Sequence, residues 1–540
     1  MIQLIKISFI ILFTFHVCLS FSQTWPKYYG EFTSYDYSDK IIESYDYGYV
    51  ICGNILTTSN ETKQKSLIIK TDLNGDTLWN KTLVNDQDFM RSFAIEQCSD
   101  GGVLICGLAY NTSTNSYPFV LKLNACMEKL WCKLFYTPEN NSWAQDVKET
   151  EAGEIILLVN QFDESPYETL HLFKLNAVGD VLWKKPFCSG YDYSEAAIPT
   201  GESVHILSDG KYIVCGSAYW EDPWNPGGVM SLRPTFVMVD SMGNEEWVLP
   251  FGLLDTIRGD AYSLVELPNN EFVGIASYWL SQSEITPIFV KFNNAGIELD
   301  YKIIDVEEID PSFSEGHLGE IIFIDSVYYL SGTFEIADEM VFPSVDVKIN
   351  ENLFESEPQI IDYVIHYDQY WPYSFVKTYD NKIIKSTTLK ETGNWDIVLS
   401  KLNLNLEYDT AYPGNYTYDS LCTTPNHPQS GFIYLDDCDI ITGIDIPSPE
   451  EYYAHLQTIP LIVYPNPVNE RVTFAMENSE HHNNITLKCY NLLGKQVFET
   501  LVITGQKETR AMVSTWPQGM YVAVVYSDGL PVGQCKFVVR

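Results

Sequence analysis

Residues able to do chemistry are scattered along this chain rather than gathered in a signature. It has no Gly-x-Ser-x-Gly elbow, no His-Glu-x-x-His, no phosphate loop and no Gly-x-Gly-x-x-Gly. Nucleophilic, zinc-hydrolytic and nucleotide chemistry therefore have no anchor, and no catalytic residue is nominated. His481-His482 stand together in a loop and read as solvated side chains. Carboxylates are so abundant that no one pair stands out for acid/base work. Asp72-Leu73-Asn74-Gly75-Asp76 resembles part of a calcium loop, but it sits in a repeated turn, so turn capping is the first reading and calcium the second. Asp305, Glu307, Glu308 and Asp310 could hold an ion, and read first as an exposed charged loop; no cofactor or metal is expected.

The strongest ligand-binding candidate is the run from Tyr219 to Gly228, which carries Tyr219, Trp220 and Trp224 beside Glu221, Asp222 and Asn225. Aromatic faces stack on sugar C–H groups while carboxylates and amides take the hydroxyls. The plainer alternative is a loop whose rings fold back on the body. Tyr35-Asp36-Tyr37 and Tyr191-Asp192-Tyr193 are lesser versions of the same arrangement.

These residues must be positioned by strands. Hydrophobic residues make up 45% of the 540, enough for a large core, and aromatics at 14% favour pleated surfaces. The formal charge of −39 repels phosphate backbones and anionic membranes, which excludes nucleic acid as a partner. Lys6 followed by the apolar run from Ile7 to Val17, with Ser20 and Ser22 beyond, reads as a signal peptide over 1–22 cleaved before Gln23. Cys18 follows Val17, where a lipoprotein signal needs a small residue. No later stretch is expected to cross a membrane.

Repetition is the main signal. Ile51-Cys52-Gly53, Ile105-Cys106-Gly107 and Val214-Cys215-Gly216 recur at one strand position, so these thiols read as core. A marker follows at Lys70, Lys122, Lys174, Met238, Lys291, Lys348 and Lys401, spaced 52 to 64 residues apart. Two residues beyond each stands Asp72, Asn124, Asn176, Asp240, Asn293, Asn350 or Asn403, an Asx column that marks a hairpin turn. A Trp strand closes the early repeats at Trp79, Trp131 and Trp183 and is lost at Asp300 and Glu357. Four short strands repeated seven times predict an all-β, seven-bladed β-propeller over 23–413, with the strand around Trp25 closing the last blade. A connector over 414–459 follows. The pattern resembles the secreted propeller-like repeat proteins of Bacteroidota, which implies architecture rather than activity.

The last stretch, 460–540, reads as a small Ig-like β-sandwich. Val463-Tyr464-Pro465-Asn466-Pro467, Asn491-Leu492-Leu493-Gly494-Lys495 and Gln518-Gly519-Met520-Tyr521, with Lys536 in a basic final strand, resemble a type A sorting domain of the type IX secretion system. That resemblance implies the outer-membrane translocon and its sorting machinery as partners, and a destination at the cell surface or outside. Tyr418-Asp419-Ser420-Leu421-Cys422 resembles a segment found before such domains. In an oxidising compartment Cys126 could bridge Cys132 across a hairpin, Cys422 could close a loop with Cys438, and Cys489 could meet Cys535.

The functional expectation is a secreted, non-catalytic propeller for binding or adhesion, with a glycan or protein ligand. The alternatives are an extracellular glycan hydrolase or lyase, favoured by a carboxylate-lined axial pocket and disfavoured by a plugged axis, and a structural envelope component.

Overall fold

The computed structural model describes residues 25–540 except 31–33, 58–63, 86–88, 113–114, 137–141, 163–167, 188–199, 221–230, 252–258, 282–283, 338–341, 355–359, 368, 392–393, 412–415, 423–429, 442–460, 477–484, 492–495, 503–505 and 528–529. The expected signal peptide lies outside the described residues. No helix among them is long and apolar enough to cross a membrane. The chain divides into two compact units, 1–445 and 446–540.

The first unit is a seven-bladed propeller. Blades 1 to 6 span 34–84, 90–135, 143–187, 200–250, 261–303 and 313–366, each a four-stranded antiparallel meander. Blade 7 takes three strands from 369–402 and its fourth, Lys27–Tyr29, from the N-terminal end of the chain, with Lys27 opposite Leu399 and Tyr29 opposite Ile397. The first strands of successive blades neighbour one another all round the ring, the last returning to the first.

Three side-chain couplings explain the repeat. Within a blade, the Lys marker reaches back to an acidic residue in the first hairpin: Lys70 to Asp46, Lys122 to Asp100, Lys174 to Glu154, Lys291 to Glu271 and Lys401 to Asp380. In the second hairpin the Asx oxygen takes backbone N–H groups two and four residues on, as Asp72 does at 2.8 Å from both Asn74 and Asp76. Asn124, Asn176, Asp240, Asn293 and Asn403 do the same. Asp72 thus acts as a turn cap.

Between blades, the Trp of one fourth strand packs under the left-handed Gly of the next blade's Asx turn. Trp131 lies beneath Gly179, Trp183 beneath Gly243 and Trp247 beneath Gly296, where an added Cβ would sit 2.6–2.9 Å from the ring. Trp25 lies the same way beneath Gly75, so the N-terminal segment performs the fourth-strand task for blade 7. Where Trp is missing, so is Gly: the blade 6 and blade 7 turns carry Leu353 and Leu406, buried at 0% and 1% exposure. In blade 5 the Trp position is Asp300, opposite Lys291. In blade 6 it is Asp362, opposite Lys348, rather than Glu357, because the preceding turn is longer.

The connector corrects two disulfide expectations. Cys126 is bonded to Cys422 and Cys132 to Cys438, at sequence separations of 296 and 306. The segment does not close on itself; it lies back along the propeller. Gly431–Tyr434 adds in parallel to the outer strand of blade 1, and Asp439–Ile441 to that of blade 2. Upstream, the Tyr418 hydroxyl accepts Leu73 N–H at 3.0 Å and Asp419 N–H donates to Asp46 at 2.8 Å. The Tyr-Asp-Ser-Leu-Cys segment is therefore a clamp on the first two blades.

The second unit is a sandwich of two sheets. One holds Leu461–Tyr464, Arg471–Met476 and Glu508–Met512; the other holds Thr486–Asn491, Gln496–Leu501, Gly519–Ser527 and Leu530–Val539. Val472, Phe474, Leu487, Ala523, Val525 and Phe537 fill its core. Cys489 and Cys535 are not bonded. Both lie opposite Ala523 on either side of the same strand, two strand spacings or about 9–10 Å apart, beyond disulfide reach.

Candidate functional site

A single irregularity, repeated, builds the site. In the first strand of blades 1 to 6 the register slips by one residue, leaving Asp39, Phe93, Gln145, Glu202, Tyr262 and Gly319 without a cross-strand partner. A β-bulge re-aims the side chain it carries. All six residues line one cavity of about 280 Å³, together with neighbours on the same strands and Thr333.

The second strands hold these bulges in place. The Asn54 amide from blade 1 brackets Ser92 of blade 2, donating to its carbonyl and accepting its N–H, both at 3.1 Å. Asn160 of blade 3 does the same to Gly201 of blade 4, at 3.0 and 2.8 Å. Each amide thereby fixes the residue just before Phe93 or Glu202. Asp146 adds a further tie between blades 3 and 4, accepting Val204 N–H at 3.0 Å.

Most charges facing the cavity are paired. Lys40 meets Glu320 at 2.7 Å, joining blades 1 and 6, which are not neighbours. Lys148 lies 3.1 Å from Glu96 and 3.5 Å from Asp146. Arg91 lies 3.5 Å from Asp39, with its guanidinium 4.6 Å from the centre of the Phe93 ring. Burial pushes the Asp39 carboxyl up to about 7 against the pull of Arg91. Asp146 is buried too, yet Lys148 and Lys40 hold its carboxyl below the usual range. Burial pushes both His205 and His317 down to about 4, so they are neutral near pH 7.

Glu202 differs from these. Its one hydrogen bond among the described residues is from the Gln145 amide, at 3.4 Å. Burial, and then the neighbouring Asp260 carboxylate, push it up to about 8. Beside it Tyr262 carries a ring stacked obliquely on His317 at 5.7 Å between centroids. The cavity thus sets rings, acceptors and donors around a space of about 280 Å³, and it holds one carboxyl pushed up, Glu202, near one held down, Asp146. No group of three or more His, Cys, Asp or Glu that could hold a metal occurs among the described residues.

The earlier candidates lie elsewhere. Tyr219 and Trp220 end the second strand of blade 4, opposite Leu232 and Ser231, while Trp224 lies outside the described residues. The bulge residues were not read from the sequence, although a signal is there. Aligned on the repeat, one column reads Asp, Phe, Gln, Glu, Tyr, Gly between positions that are mostly small. Variety inside a constant frame marks a position that faces something other than the fold.

In the tail, Asn466 accepts Val538 N–H at 2.9 Å and donates to the Lys536 carbonyl at 3.3 Å, so the Pro465-Asn466-Pro467 segment is tied to the final strand. The Tyr521 hydroxyl donates to the Pro517 carbonyl at 2.7 Å, beside Gly519. Gly494 and Lys495 lie outside the described residues.

No curated protein sequence matches the chain. Solved structures similar to it include ulvan lyase, a polysaccharide lyase bound to a GlcA–Rha3S saccharide, at 10% identity, covering 69% of this chain and 95% of that one with a TM-score of 0.46. Drosophila Semaphorin 1a, extracellular domains 1–2, is similar at 10% identity, covering 70% and 88% with a TM-score of 0.43. The β-propeller domain of Vanderwaltozyma polyspora Nup133 is similar at 10% identity, covering 63% and 90% with a TM-score of 0.36. None of these likenesses carries a ligand or a reaction over to this chain. Residues 462–540 match the family of secretion system C-terminal sorting domains, which implies contact with the secretion machinery and a destination at the cell surface or outside. The chain is a type IX secretion cargo, a β-propeller body followed by a C-terminal sorting domain.

Proposed function

We propose that the protein is an extracellular binding propeller, and that its axial cavity takes the end or a side branch of a saccharide without turning it over. The observation that carries this reading is the bulge column. Six blades each direct one residue to the same space, and the residues differ in chemistry while the frame that holds them does not. Phe93 and Tyr262 offer ring faces; Gln145, Ser203, Thr333 and His317 offer hydroxyl-directed donors and acceptors. Paired charges such as Lys40 with Glu320 cross the axis, which favours capture over passage of a long chain.

A second reading has one observation behind it. Glu202 is protonated near pH 7 while Asp146 is ionised, the two states that general acid and base work on a glycosidic bond requires. Both readings meet one test. The mature full chain is titrated calorimetrically against a panel of neutral, amino and acidic oligosaccharides, and each mixture is then analysed by mass spectrometry. Binding that is lost in Phe93→Ala and Gln145→Ala, with every oligosaccharide recovered intact, supports capture. Cleaved products that disappear in Glu202→Gln would instead make the protein an enzyme. No binding across the panel would remove the cavity as a saccharide site.

A further inference from the structure

The cavity is unevenly charged, and the unevenness says what the ligand brings. Asp39, Glu320 and Asp146 each lie within 3.5 Å of a Lys or Arg nitrogen. Glu202, which lines the cavity, and Asp260, which lies behind it with a hydrogen bond to Ser217, have no such partner among the described residues. Glu202 meets only the Gln145 amide. These two carboxyls sit together at the start of adjacent first strands in blades 4 and 5, next to the half-buried ring of Tyr262. A second group in the same cavity is also left without a partner: the Thr333 hydroxyl, buried at 4% exposure, makes no hydrogen bond among the described residues.

We infer that the ligand carries a cationic nitrogen, which docks on Glu202, with Asp260 behind it, against the face of Tyr262 while its hydroxyls engage Gln145 and Thr333: an amino sugar. This rests on the reading of the cavity as a saccharide site. An ammonium supplies the counter-charge that the protein withholds from this carboxyl pair alone, and an aromatic face beside it adds attraction for a cation. The same arrangement disfavours uronic acids and sulfated sugars, because Lys40 and Arg91, the cations lining the cavity, already meet Glu320 and Asp39, and a ligand anion would have to take one from its carboxylate. The raised carboxyl of Glu202 fits a group waiting for a positive partner, since a bound ammonium would draw its proton off. A peptide amine has the charge but not the hydroxyls, so the Thr333 and Gln145 groups favour the sugar.

The test uses the mature full chain and three probes: a glucosamine oligomer, the same oligomer fully N-acetylated, and lysine methylamide. The glucosamine form is expected to bind about tenfold tighter than the acetylated form or more. Glu202→Gln, checked for an unchanged melting curve, is expected to erase that preference and leave both oligomers bound alike. Equal or tighter binding of the acetylated oligomer overturns the inference and leaves the saccharide reading standing, as does a preference that survives Glu202→Gln. Tighter binding of lysine methylamide than of glucosamine overturns the sugar assignment. If none of the three binds and the wider oligosaccharide panel is silent too, the saccharide reading itself falls.

Discussion

The Lys385 ammonium of blade 7 lies 2.8 and 2.7 Å from the two carboxylate oxygens of Asp346 in blade 6, and both side chains are fully buried. Ser331 and His366 complete the shell, donating to Asp346 at 2.6 and 2.8 Å. This pair joins two blades whose Trp-to-Gly coupling is missing. Removing one partner strands a charge in the core, so Asp346→Asn is expected to cost about 3–5 kcal/mol in chemical denaturation. Lys385→Met combined with Asp346→Leu should recover much of that. Because Lys385 holds the Asp346 carboxyl below its ordinary range despite burial, its contribution is present in full above about pH 4 and drains away as pH falls through the lower folded value. Melting temperature measured from pH 6 to 3 should fall less steeply in the Asn variant.

Peptide mapping without reduction should recover Cys126 with Cys422 and Cys132 with Cys438. Serine at both Cys422 and Cys438 should lower stability by about 4 kcal/mol, because bridges across such long loops restrict the unfolded chain most. Removing only one should cost far less, since the survivor still closes nearly the same loop. Recovery of Cys126 with Cys132 and of Cys422 with Cys438 instead would return the connector to the self-closed loop expected from spacing.

Gly243 and Gly210 share a φ of +85°, but only Gly243 has a neighbour, the Trp183 ring at 2.9 Å from an added Cβ. Gly210→Ala should therefore cost about 1–2 kcal/mol from backbone strain alone. Gly243→Ala should cost roughly 1–3 kcal/mol more, the overpacking of one blade against the next. Equal losses in denaturant titrations would mean that the Trp gives way freely.

Much of the propeller was legible because its couplings recur. The Lys, Asx and Trp columns are one half each of a contact made in blade after blade, so pattern and physics coincide. The disulfides were not legible, because Cys126 meets Cys422 only once the connector has folded back, and nothing local to either cysteine records that. The site was hidden for the opposite reason. Phe93 and Glu202 occupy the column where the repeat refuses to repeat, and one slipped register per blade is invisible until strands are paired. Trp220 and Trp224 stand out instead in a linear chain, because rings clustered beside carboxylates resemble a sugar platform.

Affinity for a glucosamine oligomer whose amines are quaternised, so that their charge does not titrate, should rise between pH 6 and 8. Glu202, pushed up to about 8, must give up its proton to meet the cation, so binding weakens by up to about tenfold per pH unit below that value. The other groups facing this corner are Asp146 and Lys148 on the blade 3 first strand, His205 on its own strand, Asp260 and Tyr262 on blade 5 and His317 on blade 6. Both histidines are already neutral across this range. Calorimetry of that quaternised oligomer in two buffers of different ionisation enthalpy should count close to one proton released at pH 7. Affinity that is flat with pH would say that Glu202 does not meet the ligand.

A chain ending before residue 460 should accumulate in the periplasm, while the full chain reaches the surface or the medium. Asn466→Ala removes both ties between the Pro-Asn-Pro segment and the last strand, and should impair export while leaving the propeller's own melting transition in place. Equal export of the truncated chain, followed by cell fractionation and a propeller antibody, would deny the tail its sorting role.

The connector also settles where a pull on the tail is felt. Gly431–Tyr434 and Asp439–Ile441 run parallel to the outer strands they join, and Cys438, bonded to blade 2, lies between the two. Tension applied through the C-terminal end enters blade 2 through the Asp439–Ile441 strand and the sulfur bridge, at the outer rim of the ring. Its point of entry is not blade 7, where the two ends of the circle meet through a strand of three residues. A surface tether or a translocating motor can therefore load this molecule without pulling directly on the seam that closes the ring, and cutting the chain beyond Ile441 releases the tail without loosening the ring.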